Sequence, residues 1–283
     1  MRRPQEIAVD EQNMATIVGL TSAFETLASM KISQTKNQVL QSQAFFNELW
    51  HIYSQLRVDG LFRFGRTKHD DVVDKTLIIA VTAEGGFSGD IDQRLISTML
   101  KEFDPKKHDI IIIGHHGAMQ LSQLHVQYLK YYKLPEQDNN INVQPLIQMI
   151  KGYQSTLVFY QSYESLTVQE IRRIELKSAV QTAGKQAGKN EDIISELNYI
   201  FEPSPFDVVA HLERSMVEIT LSQVILDSKL AQYASRFRAM TAARERSDES
   251  LRELHTLYNR TKRSIADERL KEILNGRRAG TAK

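Results

Sequence analysis

From Phe206 to Asn275 the chain contains neither Gly nor Pro, while Pro203 and Pro205 precede this stretch and Gly276 follows it. That pattern predicts one continuous helix of roughly 100 Å, several times the width of a small domain. Along it, Phe237, Met240, Arg244, Ser247, Leu251, Leu254, Tyr258, Thr261 and Ile265 alternate steps of three and four, the spacing of a coiled-coil seam. A rod of this kind cannot bury its seam alone and requires a second helix. Its projecting end points to reaching, levering or docking rather than to enclosing a small substrate.

The mate is expected at the other end of the chain. Ile17, Leu20, Phe24 and Leu27 repeat the same spacing, and after a slip in phase Val39, Phe46, Leu49, Tyr53 and Leu56 continue an apolar face. Residues 20–59 are free of Gly and Pro, and Asp59-Gly60 ends the pattern. Residues 1–60 and 206–276 therefore read as two helices of an antiparallel coiled coil, which the chain leaves by one helix and re-enters by the other.

The middle of the chain follows a different rule. Thr76–Val81 and Asp109–Ile113 are β-branched runs with a helical pattern, Ile91–Phe103, between them. Strand, helix and strand in this order predict a parallel βαβ crossover whose strands are buried on both faces. Leu157–Tyr160 and Leu166–Lys177 offer further strands, so residues 75–201 read as a Rossmann-like α/β domain at the foot of the rod. Gln181–Asn190 and Glu136–Asn142 have the composition of mobile loops.

A formal net charge of +1 gives no general attraction to nucleic acid or to an anionic membrane. The absence of cysteine excludes disulfides and thiolate metal sites. Residues 1–10 lack the apolar core of a signal peptide, and the longest apolar runs are strand-sized, so attachment to a membrane would fall to another chain.

No self-sufficient catalytic, cofactor or metal constellation is expected. The loop Ala83-Glu84-Gly85-Gly86-Phe87-Ser88-Gly89-Asp90-Ile91-Asp92 sits where doubly wound folds cradle phosphate. It lacks a GK[ST] ending and sets Glu84, Asp90 and Asp92 where an anion would lie, which favours a tight strand-to-helix turn with Asp90 or Asp92 near the helix N-terminus. Gly114-His115-His116-Gly117 reads as a loop histidine pair rather than a metal centre, because adjacent residues of an extended segment point apart. Asp70, Asp71 and Asp74 belong to a polar linker, and neither G-x-S-x-G nor H-E-x-x-H occurs. Arg260, Lys262, Arg263, Arg269, Lys271, Arg277 and Arg278 make the end of the last helix basic, as either a solvated face or a docking surface for an acidic protein.

In the last helix, Ala234-Ser235-Arg236-Phe237-Arg238-Ala239-Met240 resembles the A-A-R-M-x-A-M of the gamma subunits of rotary F-type ATP synthases, the central stalk. Leu254, Tyr258-Asn259 and Glu272-Ile273 fall without a gap on the family's L-x-x-x-Y-N and E-I positions. Thr21-Ser22-Ala23-Phe24-Glu25-Thr26-Leu27-Ala28-Ser29-Met30-Lys31 is similar to T-K-A-M-x-M-V-A-A-S-K, and residues 81–90 to I-T-S-D-R-G-L-C-G-G. Tyr199-Ile200-Phe201-Glu202-Pro203-Ser204 resembles Y-x-Y-E-P-S, and Gly114 and Gly117 occupy the ends of G-x-K-G. These matches are collinear over nearly the whole chain.

The resemblance implies a non-catalytic rotor shaft standing in a hexamer of alpha and beta subunits, its foot on the epsilon subunit and the membrane c-ring. It implies a peripheral position on the cytoplasmic face of a bacterial membrane, or on the matrix or stroma side in an organelle, and no cofactor. Phe24, Arg236, Met240, Lys262, Arg263, Asp267 and Arg269 then map to the hexamer side, and Tyr199, Phe201 and Glu202 to epsilon and the ring. The chain departs from the family's R-Q-x-x-I-T-x-E at Lys262-Arg263, Ala266-Asp267 and Arg269, and replaces its small apolar tip by Gly276-Arg277-Arg278-Ala279-Gly280. Two competing readings are a stand-alone α/β enzyme dimerised by its coiled coil, with Gly85–Asp92 as cofactor loop, and a coiled-coil adaptor.

Overall fold

A computed structural model of the chain describes residues 3–55, 73–135, 141–180, 202 and 204–280. The Gln181–Asn190 loop, all but the last two residues of Glu136–Asn142, Asp70, Asp71 and Leu56 lie outside the described residues. Two compact units are present: Ala28–Arg236, and Met1–Leu27 with Phe237–Lys283.

The first unit is built on a five-stranded sheet. Its elements run β1 (Val73–Val81), α2 (Ile91–Glu102), β2 (His108–Ile113), α3 (His115–Gln123), β3 (Lys130–Tyr132), α4 (Gln144–Ile150), β4 (Tyr153–Tyr163) and β5 (Gln169–Glu175). The two long helices are α1 (Pro4–Gln55) and α5 (Pro205–Gly280). The strand order is β3-β2-β1-β4-β5. The first four strands are parallel and β5 is antiparallel to β4. The expected β1-α2-β2 crossover is therefore present, with Ile79 between Ile111 and Val158 in the ladder.

Alternate side chains of these strands feed two cores, as the period of two dictates. Ile78, Ala80, Ile110, Ile112 and Phe159 pack against Leu95, Ile96, Met99, Ala118 and Leu121 of α2 and α3. On the opposite face, Leu77, Ile79, Val81, Ile111, Ile113 and Val158 pack against Leu146 and Ile147 of α4 and Leu221, Val224 and Ile225 of α5. The last helix is thus a structural layer of the α/β domain. It starts where Ser204 Oγ accepts the Asp207 N–H and donates to Asp207 Oδ2, with Pro205 at the first position, a capping arrangement that fixes its origin. In the same unit, Phe46 of α1 is buried with Val180 and Met216, and Tyr53 donates to Glu213 of α5.

Two local expectations are corrected. The His115-His116 pair is the first turn of helix α3 rather than a loop, with Gly114 as its N-cap. The phase slip expected in α1 is absent. A single line of buried and half-buried positions on this helix runs Ile7, Glu11, Met14, Val18, Thr21, Glu25, Ala28, Ile32, Thr35, Val39, Ser42, Phe46, Leu49 and Tyr53, alternating fours and threes without a break. Ile17, Leu20, Phe24 and Leu27 are 43, 54, 38 and 55 % exposed and form a separate outward stripe. Hydrophobicity singles out this stripe because the seam beside it interleaves Thr, Glu, Ala and Ser with its apolar residues.

In the unit formed by 1–27 and 237–283, the helices are antiparallel: Glu25 meets Thr241 and Arg244, and Glu11 meets His255. Every expected seam position of α5, from Phe237 to Ile265, is buried or half-buried. No helix among the described residues is long and apolar enough to cross a membrane.

Candidate functional site

Two places concentrate polar side chains that ordinary core packing does not require. The first lies where the loop after β1 meets helix α5. Asp92, in the first turn of α2, is only 3 % exposed. Its Oδ1 accepts the Ala83 N–H at 3.0 Å and the Gln161 Nε2–H at 2.8 Å, and its Oδ2 lies 3.1 Å from His116 Nδ1. Gln161, at the buried end of β4, passes the network onward, because its Oε1 accepts from Ser228 Oγ and, at 3.3 Å, from Gln232 Nε2. One carboxylate therefore ties the end of β1 to α2, α3 and β4, and through Gln161 to two successive turns of α5. A buried network of this kind is worth most when every member is satisfied.

Helix α5 also holds the loop from outside. Ser235 Oγ donates to the Ser88 carbonyl at 2.6 Å, and Arg236 donates through Nε to the Gly86 carbonyl and through Nη2 to the Gly85 carbonyl, at 3.1 and 3.2 Å. Phe87, 63 % exposed, takes φ 68° and Gly89 φ 67° to make this tight course. Glu84 accepts the His115 and Leu134 N–H groups and the Tyr131 hydroxyl. Asp92 in the first turn of α2 accepts the Ala83 N–H and Arg236 holds the Gly85 and Gly86 carbonyls, which gives the tight strand-to-helix turn expected of Gly85–Asp92.

The glycines beside it have a steric cause. Gly114 adopts φ 98°, and a Cβ there would fall 2.0 Å from the Thr82 carbonyl oxygen. A Cβ on Gly117 would meet Thr82 Oγ1 at 2.6 Å and Cγ2 at 2.8 Å. Thr82 Oγ1 accepts the Gly117 N–H and donates to the Ile113 carbonyl, so β1, β2 and α3 meet at van der Waals limits.

The second place is the helix pair of the other unit. Arg244, the polar step in the expected seam, donates Nε to Glu25 Oε2 at 2.7 Å, and Thr241 Oγ1 donates to Glu25 Oε1 at 2.8 Å. A half-buried acidic seam position thus answers a basic one. An open groove of about 700 Å³ lies between the same helices, lined by Ala8, Glu11, Ala15, Leu251, Arg252 and His255 among others.

The residues singled out from sequence fall into four groups. Phe24 is on the outward stripe of α1, and Lys262, Arg263, Asp267 and Arg269 are exposed on α5. Arg236 spends its donors on the glycine loop, and Met240 is 6 % exposed, inside the seam it was also expected to join. Glu202 is exposed, and Tyr199 and Phe201 lie outside the described residues. Sequence reasoning passed over Glu25, Gln161, Ser228 and Gln232. The available signal was polar residues interrupting apolar patterns, with Ser228 and Gln232 one turn apart beside Leu226, Leu230 and Ala231.

A family model described as ATP synthase matches residues 8–279. Among curated relatives, the chain is 22 % identical to the ATP synthase gamma chain of Chloroherpeton thalassium over 97 % of each chain. It is 24 % identical to that of Pelodictyon phaeoclathratiforme over 96 % of this chain and 97 % of the relative. A chain in the cryo-EM structure of the Euglena gracilis mitochondrial ATP synthase, OSCP/F1/c-ring, superposes with a TM-score of 0.66 at 13 % identity, covering 98 % of this chain and 95 % of that one. A chain of the Tetrahymena thermophila mitochondrial ATP synthase central stalk and c-ring gives 0.57 at 13 %, covering 79 % of this chain and 99 % of that one.

Proposed function

The chain belongs to the ATP synthase family, in which its curated relatives are gamma chains, and on that premise we propose that it is the central rotor shaft of an F-type ATP synthase. In this role it transmits torque between ion flow through the membrane c-ring and ATP synthesis or hydrolysis on the alpha/beta hexamer. The full-length match to gamma chains carries the reading.

Physical features of the chain support it. Helix α5 is continuous from Pro205 to Gly280, so a twist applied along it has an unbroken hydrogen-bonded path. Within the unit 28–236 this helix is fastened to the sheet by an apolar layer and by the Gln161–Ser228–Gln232 network, which resists rotation about the helix axis where a smooth apolar contact would slide. Within the other unit, Glu25 and Arg244 fix the register of the two helices.

On this reading the subunit is non-catalytic, as a shaft within the complex. It sits peripherally on the cytoplasmic face of a bacterial membrane, or on the matrix or stroma side in an organelle. Phe24 and the exposed Lys262, Arg263, Asp267 and Arg269 face the hexamer; Tyr199, Phe201 and Glu202 face epsilon and the c-ring. Arg236 and Met240 act on that side indirectly, by holding the loop and the seam. The test is single-molecule observation of the assembled complex with a probe on this chain. Rotation relative to the hexamer during ATP hydrolysis is expected, and a chain that stays fixed while hydrolysis proceeds would overturn the assignment.

A further inference from the structure

We propose that His116 is a proton-operated latch, which tightens the seating of the glycine loop on the Asp92 hub at acid pH and loosens it at alkaline pH. The proposal stands on where the ring sits. Nδ1 faces Asp92 Oδ2 at 3.1 Å, and Nε2 lies on the other side, 3.9 Å from the place a Cβ on Gly86 would occupy. The imidazole is thus bonded to the buried carboxylate of α2 and lies beside the loop, whose Ala83 carbonyl accepts the His116 N–H and whose Gly85 and Gly86 carbonyls are held by Arg236 of α5. It is partly open to solvent, with 31 % of its side chain exposed, whereas Asp92 retains 4 %. A proton can therefore reach the ring while the carboxylate it answers stays dry.

The charges facing the ring from each element are Asp92 on α2, Glu84 on the loop after β1, and Arg236 on α5. Two carboxylates oppose one guanidinium. Glu84 is already engaged by the His115 and Leu134 N–H groups and the Tyr131 hydroxyl, which leaves Asp92 as the direct partner. The Asp92 hydrogen bond raises the His116 pKa above its ordinary 6.5, against an opposing effect of burial. A neutral ring can still donate from Nδ1, so deprotonation weakens the bond from charge-assisted to ordinary rather than removing it.

The direction of the linkage follows. A pKa higher in the folded than in the unfolded chain means that the contribution is complete below the unfolded value of 6.5. It is lost as pH rises through the elevated folded value. The Asp92 hub also binds Ala83 and, through Gln161, helix α5, so the latch acts at the point where the loop, the sheet and that helix are joined. The inference concerns only residues of the α/β domain and does not depend on the rotor assignment.

The test is NMR on the full chain: the His116 ring titration, with amide protection at Ala83, whose N–H is held by Asp92, and at His116, whose N–H is held by the Ala83 carbonyl, corrected for intrinsic exchange. Between about pH 6 and about pH 8.5, protection should fall by about tenfold for each unit by which the His116 pKa exceeds its ordinary value. His116→Gln should give flat, low protection over this range and His116→Lys flat, high protection. A His116 titration at or below the ordinary value, or a His116→Gln chain that keeps the wild-type pH profile, would overturn the proposal.

Discussion

Removing Glu25 should loosen the helix pair locally, by an amount that can be worked from its contacts. The side chain is 18 % exposed and receives Arg244 Nε at 2.7 Å and Thr241 Oγ1 at 2.8 Å. A hydrogen bond to a charged group contributes about 1.5–3 kcal/mol, and Thr241 Oγ1, 3.0 Å from the Phe237 carbonyl oxygen, can turn to that acceptor when Glu25 is removed, which keeps its share at about 1 kcal/mol. Arg244, with 35 % of its side chain exposed, keeps part of its hydration, which sets the first figure at its lower end. Glu25→Ala should therefore cost about 2–3 kcal/mol, and the double-mutant coupling between Glu25→Ala and Arg244→Ala should be about 1–2 kcal/mol.

Native-state hydrogen exchange at residues 241–248 reads this directly, because opening of the pair need not involve the α/β domain. Their amides should exchange roughly 30- to 140-fold faster in Glu25→Ala. The charge-swapped pair Glu25→Arg with Arg244→Glu should recover much of the loss, since the pair specifies register through complementary charge. A coupling below about 0.3 kcal/mol would place Glu25–Arg244 among inert surface ion pairs and refute its role in register.

Gly114→Ala should severely destabilise the α/β domain, because a Cβ would fall 2.0 Å from backbone at φ 98°, whereas Gly19→Ala, with nothing within 4 Å, should stabilise α1 by about 0.5–1 kcal/mol. Thermal melts separate the two, and equal melting points would contradict the steric account. Burial raises the Asp227 carboxyl above its unfolded 3.8, an effect that the Tyr163 N–H and Ser162 only partly offset. Its contribution is therefore full below 3.8 and lost as pH rises through the higher folded value, so Asp227→Asn should raise stability at neutral pH and, by removing a contribution that grows on acidification, steepen the acid limb of the stability profile. An unchanged acid limb would rule that out. Arg269→Glu, on an exposed stretch of α5, should leave the chain's own stability within about 0.5 kcal/mol of wild type while altering coupled hydrolysis in the assembled complex. Unchanged coupling would remove Arg269 from the contact surface.

Much of the architecture was legible because it rests on long-range periodicities. Threes and fours from Phe237 to Ile265 could form only a seam, and the Ile runs of β1 and β2 around Ile91–Phe103 allowed little but a parallel crossover. The seam of α1 was misread for a physical reason. Thr21, Ala28 and Thr35 are buried there and Glu25 half-buried although none is strongly hydrophobic, while the more apolar stripe one position away faces outward. Helix α3 was missed because Gly114 and Gly117, which read as loop residues, are required by contact with Thr82 at the start of a helix. The Asp92 hub could not be read locally either: Gln161 lies 69 residues from Asp92 along the chain, Ser228 and Gln232 lie 67 and 71 residues beyond Gln161, and only the fold brings them together.

The outward ladder of Ile17, Leu20, Phe24 and Leu27 carries a consequence for the life of the chain before assembly. Among the described residues, these four large apolar side chains stand between 38 and 55 % exposed along one helix flank. Surfaces of this kind adhere to one another and are recognised by the chaperones and proteases that survey unassembled proteins. Supply of this polypeptide must therefore be matched to that of its partners, since any surplus is both sticky and marked for removal. An orphan copy is for that reason short-lived.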